Sequence, residues 1–236
     1  ETYGNDGFAT FIKILREYMK NLLSVAIICI VFTQFSCSKE LVSGNGPIVS
    51  ETRNVSGFTA ISALGSTNVY VYHGPVFKVE VKGYSNLLQY YETKVVNNTL
   101  EVGYKHNMNI KNDNTVVLIT LPVLNGLALS GSGIITTTGS FDAGTSFNAS
   151  VSGSGKINFS SGTAQNFYSK IDGSGSINML NMLTDKADVI INGSGNIEIS
   201  ANNLLNVKIT GSGIVYYQGS PIMTTNIIGS GSVMRK

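Results

Sequence analysis

The run SGSGKI, Ser152 to Ile157, holds the ingredients of a phosphate-binding loop, a glycine-rich turn followed by lysine. Such a loop also needs a glycine about five residues before the Gly-Lys pair to wrap the phosphates, and Ser or Thr after the lysine to hold the metal. Those positions are Ser150 and Ile157, so the lysine reads as a surface side chain. Calcium-binding β-roll repeats would need Asp two residues after a glycine cluster at a period near nine, and neither is present. No Ser here has the flanking glycines of a nucleophile elbow. His73, in the turn YHGP, and His106, in the polar loop KHNMN, each lack a positioned partner for proton transfer. Asp142, Asp172, Asp185, Asp188 and Glu198 fall at different phases of the chain's repeat and would not stack into one acidic cluster. Asp172, near Asn192 and Lys156, is the one grouping from which a polysaccharide-acting enzyme could be argued, and a polar face explains it equally well. No cofactor or metal is implied.

Cys37 suggests a different chemistry. Met19-Lys20 precedes the apolar run LLSVAIICIVF, Leu22 to Phe32, which is too short to span a bilayer and suits the core of a signal peptide. Ser36-Cys37 follows, resembling a bacterial lipobox, with Gln34 and Phe35 departing from the usual residues. The expectation is a signal peptide over 19–36, lipidation of Cys37, a flexible tether over 37–47 and a cell-envelope location, with residues 1–18 an over-called N-terminus. The alternative is a short membrane-anchor helix in which Cys37 is incidental. With Cys29 inside the apolar run, the remaining body has no cysteine for a disulfide or thiolate site.

These features must be carried by strands. The chain is 236 residues long, 42% hydrophobic and 13% charged, with 26 Gly and 4 Pro, enough apolar material for a core and many tight turns. A net charge of +2 with no basic run excludes a nucleic-acid surface. From 48 to about 125 the alternations FTAIS, TNVYVYHG, FKVEVKG, TLEVGY and TVVLITLP predict irregularly spaced strands. The segment YSNLLQYYETKV, Tyr84 to Val95, breaks step and reads as a short helix or irregular strand.

From 126 onward Gly-Ser-Gly begins at 131, 153, 173, 193, 211 and 229, at intervals of 22, 20, 20, 18 and 18 residues. A period near 20 marks a solenoid whose units bury apolar faces only by stacking. Apolar residues stand two before each first glycine and two after each second, as Ile191 and Ile197 do around Gly193-Ser194-Gly195. Extended backbone then places both glycines on the inner face, where a missing side chain permits a bend, and Ser on the outer face. Stacking in register aligns Ser132, Ser154, Ser174, Ser194, Ser212 and Ser230 as an external ladder, with segments such as Ser160 to Asn166 and Ser200 to Asn203 as return turns. The fold expected is an all-β parallel β-helix over 48–236. The competing geometry is an antiparallel meander or sandwich with Gly-Ser-Gly as hairpin loops.

RNVSGFTAISALGSTNVYVYHG, TLEVGY, TVVLITLPVLNGLALSGSGII and the serial Gly-Ser-Gly units together resemble the family described as putative auto-transporter adhesin, head GIN domain. The resemblance covers about Pro47 to Lys236 and implies a right-handed β-helix on a secreted or lipid-anchored envelope protein, with no catalytic residues to carry over. Function is then expected to be adhesion or binding of glycan or protein through the hydroxyl-rich faces, or structural self-assembly in the periplasm. The sequence stops directly after the sixth motif, and an uncapped solenoid end would expose strand edges for a partner or a second copy.

Overall fold

The computed structural model describes residues 13, 16–20, 40–106 and 108–236. The apolar run 22–32 and Cys37 lie outside the described residues. One unit, Glu1–Glu40, is described only at the helical residues 13 and 16–20, where Lys20 pairs Glu17 at 3.0 Å, and at Glu40, which opens a strand. Among the described residues no helix is long and apolar enough to cross a membrane.

In the second unit, Leu41–Lys236, period-two alternation becomes the walls of a β-solenoid. Ala60–Gly65, Gly126–Gly131, Ser146–Gly153, Ser161–Gly173, Ser176–Gly193, Asn196–Gly211 and Ile222–Gly229 stack in parallel as one wall. Their last residues, Gly65, Gly131, Gly153, Gly173, Gly193, Gly211 and Gly229, occupy one column. Past this corner a second wall stacks Asn68–His73, Ile134–Thr138, Lys156–Asn158 and the strands that follow, also in parallel. Parallel pairing across every coil selects the solenoid over the meander.

Inner residues form columns: Ala63, Leu129, Val151, Ile171, Ile191 and Ile209 on the first wall, and Val69, Ile135, Ile157, Ile177, Ile197 and Val215 on the second, all buried. Phe141, Phe147, Phe159 and Phe167 fill the interior towards the third corner, with Phe147 edge-on to Phe159 at 5.2 Å between centroids. Each coil alone could not bury such side chains, so the stack folds as a unit.

Three expectations are corrected. The return segments are not simple turns: 161–166 and 200–203 lie inside the strands Ser161–Gly173 and Asn196–Gly211 and contribute to a third wall. The flexible tether over 41–47 is instead docked, because Gly44 N–H donates to the Lys111 carbonyl at 2.8 Å and Asn86 Nδ2 donates to the Ser43 carbonyl at 2.8 Å. Its turn-forming residues satisfy backbone groups rather than expose them. Finally, the first coil belongs to the sequence's irregular part. Gly65-Ser66-Thr67 takes the same corner as the later motifs, with Thr67 in place of the second glycine.

Residues 74–125 leave after this first coil and cover its free edge. Thr99–Tyr104 and Val116–Leu121 add parallel to Ala60–Gly65 and Asn68–His73, then antiparallel partners Tyr91–Val96, Lys78–Tyr84 and Ile48–Arg53 finish the sheet. Switching to antiparallel pairing ends the stack on that side. The out-of-step segment resolves as a short helix, Ser85–Leu88, followed by the strand Tyr91–Val96.

Candidate functional site

The corner of the solenoid presents the serine ladder. Gly193 turns the chain at φ +127°, a left-handed conformation, and is half-buried; Gly195 is buried. Only the second glycine therefore faces inward, correcting the expectation for the first, because a positive-φ turn interrupts the two-residue alternation. Between them Ser132, Ser154, Ser174, Ser194, Ser212 and Ser230 are all exposed. Ser194 N–H donates to the Gly173 carbonyl at 3.0 Å, and Ser154, Ser174 and Ser212 repeat the bond to the preceding coil. Coil stacking thus spaces the hydroxyls about 4.8 Å apart. The six hydroxyls make no hydrogen bond to the described residues.

Beside the ladder, Asp172 and Asn192 lie on adjacent coils, as the register requires. Asn192 Nδ2 donates to Asp172 Oδ1 at 2.7 Å, and Lys170 Nζ pairs with Oδ2 at 2.7 Å. The amide and, after it, the ammonium hold this carboxyl below the usual aspartate range. The expected third member, Lys156, sits past the corner on the next wall, pairing in register with Ile134 and Ser176. Lys170 could have been found from its place two residues before Asp172, on the same outward face. The site is an ion and amide pair at a recess of about 260 Å³ in the first wall, which Asp172 and Lys170 line with Ser130, Ser150 and Ser152; no second carboxyl, as glycoside hydrolysis uses, is among its lining residues.

The histidines are far apart in role. His73 ends a strand, edge-on to Phe141 at 5.4 Å. His106 lines a cavity of about 160 Å³ with Glu92, Lys94, Glu101 and Tyr104. Among the described residues no group of three or more His, Cys, Asp or Glu is placed to hold a metal ion.

The family model described as "Putative auto-transporter adhesin, head GIN domain" matches residues 57–221. The chain belongs to this family. The head GIN chain is similar in structure to a crystallised putative adhesin from Bacteroides fragilis, at TM-score 0.66 and 21% identity over 83% of this chain and 100% of that one. It is also similar to a putative lipid binding protein from Parabacteroides distasonis, at TM-score 0.59 and 21% identity over 84% and 100%. A putative adhesin from Parabacteroides merdae gives 0.53 and 20% over 84% and 99%. At these identities the likeness establishes the solenoid fold. No curated protein matches the head GIN chain. The family and two of these three structures bear names of adhesins, the third that of a lipid binding protein, and none that of an enzyme; the family name points to the envelope or cell surface.

The six Gly-Ser-Gly corners are legible in the sequence, but the seventh, Ser66, is hidden by Thr67 in place of the second glycine. A recess at the third corner has no signature in any single repeat, because it depends on how unequal coils stack.

Proposed function

We propose that this protein is a non-catalytic cell-envelope lipoprotein, anchored in the outer membrane through acylated Cys37, that adheres to or binds glycan or protein through the polar walls of its solenoid. The observation that carries the reading is the column of six exposed serine hydroxyls with no hydrogen-bond partner among the described residues, repeated at one position of every Gly-Ser-Gly coil. A hydroxyl both donates and accepts, so a regular column can meet a repetitive polar ligand without net charge. The walls beside it carry paired Asp, Asn and Lys groups rather than a single-sign field. Several acyl chains, as bacterial lipoproteins carry, would make the anchoring stable where one alone holds weakly.

Protease shaving of intact expressing cells tests it, with Cys37→Ala as the anchoring control. Digestion of the wild type on unbroken cells, and release of the variant from the membrane fraction, are expected. Protection until the outer membrane is opened would remove the adhesin reading.

A second reading, a self-assembling periplasmic component, has its own observation. The strand Ile222–Gly229 is exposed along its whole length, and Ile227, a member of the inner column, is 38% exposed. Such an edge can take another strand.

A further inference from the structure

The third corner is recessed because its coils are unequal in length. On one side of the corner Asp142, Thr163, Leu183 and Ser200 are successive register partners, and on the other side Ser146, Asn166, Lys186 and Leu204 are. Between these columns the four coils hold three residues (143–145), two (164–165), two (184–185) and three (201–203). The register breaks between Thr184 and Lys186 where the count changes. Extra residues in the outer coils form two lips, and the shorter inner coils form the floor. The recess has a volume of about 430 Å³. Four stacked strands make it about 14 Å long, room for a short oligosaccharide.

Its lining differs from the Asp-Asn pairs of the first wall in the state of its polar groups. On the first wall Asp172 takes Asn192, and Asp188 takes Asn206, so those groups satisfy one another. In the recess the side chains of Gln165, Asp185 and Asn202 make no hydrogen bond to the described residues. Asp142 is fixed by the Gly144 N–H at 3.0 Å and the Thr163 hydroxyl at 2.8 Å, both donating to Oδ1, which leaves Oδ2 without a partner among the described residues. Leu183, in register with Thr163, is 58% exposed beside these groups.

Carboxylates accept two hydroxyl hydrogen bonds, side-chain amides accept and donate, and an apolar side chain suits the C–H face of a sugar ring. No lining residue is basic, while two are acidic, which disfavours uronic acids and phosphates. We infer that the recess is a subsite for a neutral saccharide, with Asp142, Gln165, Asp185 and Asn202 bonding vicinal hydroxyls and Leu183 packing on the apolar ring face. This rests on the binding-module reading and gives it a location away from the serine ladder.

The test is an amide shift titration of the ¹⁵N-labelled full chain in detergent with maltotriose, cellotriose, mannotriose and triacetylchitotriose, and with digalacturonate and calcium as separate arms. At least one neutral trisaccharide is expected to shift the amides of Gly144, Gln165, Leu183 and Asn202. Asp185→Ala and Asn202→Ala alter exposed side chains and should weaken that binding at least tenfold, whereas Val76→Ala, 69% exposed in the 74–125 segment, leaves it unchanged. The inference is overturned if no neutral trisaccharide moves these amides, if digalacturonate moves them as strongly, or if calcium alone does. Cell adhesion that survives both recess variants while the recess stays silent would reject the subsite and keep the binding module. Absence of adhesion by the wild type would reject the wider reading.

Discussion

Gly193 and Gly195 stand two residues apart and are required for different reasons. A Cβ on Gly193 would lie 2.3 Å from the Gly173 carbonyl oxygen, at a φ that L-residues rarely adopt. A Cβ on Gly195 would meet the Gly175 carbonyl at 2.6 Å and Ile171 Cγ2 at 2.7 Å, so there the obstacle is the coil below. Gly193→Ala should cost about 1–3 kcal/mol through backbone strain, with the contact added. Gly195→Ala should cost about 1–3 kcal/mol through overpacking. Denaturant midpoints measure both, and an unchanged midpoint for either contradicts the corresponding mechanism. Asp172 gives a second check at this scale. Its carboxyl is held low by Asn192 first and Lys170 next, so its contribution to stability is present above the ordinary aspartate pKa and fades as pH falls through the lower, folded value. Carboxyl titration by NMR should show Asn192→Ala moving Asp172 upward while Asp142, held low by the Gly144 N–H and Thr163, stays in place. Equal movement of both would mean a general field rather than local bonds.

A strand in this solenoid is stable only through the coils above and below it. Ile191 lies in a buried column between Ile171 and Ile209, so Ile191→Ala should destabilise by about 2–5 kcal/mol. Phe147, fully buried among Phe159 and Phe167, should cost about 3–5 kcal/mol on truncation to Ala. Tyr168, one residue from Phe167 and 46% exposed on the outer face, should change stability by no more than about 0.5 kcal/mol. Thermal unfolding of the three variants separates inner from outer columns. A Tyr168 effect as large as that of Ile191 would show that the walls are not oriented as described.

The two ends of the parallel stack differ. Residues 74–125 close one end with antiparallel strands, while Ile222–Gly229 at the other leaves Ile222 76% and Ile228 60% exposed. If that edge takes a second copy, sedimentation should show concentration-dependent association that Ile227→Lys abolishes, since a charge on an edge strand opposes pairing. A monomer across the concentration range would leave the solenoid's lateral faces as its binding surfaces.

The repeat, its inner columns and the outward serines were legible in the sequence because both determinants are local: alternation has a period of two, and Gly-Ser-Gly marks one corner of each coil after residue 126. The resemblance to the head GIN family rested on the same residues. Other features depended on contacts between distant segments. The first coil, 60–73, stacks directly on 126–142 although 52 residues intervene (74–125), and Thr67 conceals its motif. The docking of 41–47 depends on Asn86 and Lys111. The replacement of Lys156 by Lys170 at Asp172 turns on which side of the corner each lysine falls. The recess at Asp142 and Asp185 exists only because coils of unequal length are stacked in register, a relation that no single repeat contains.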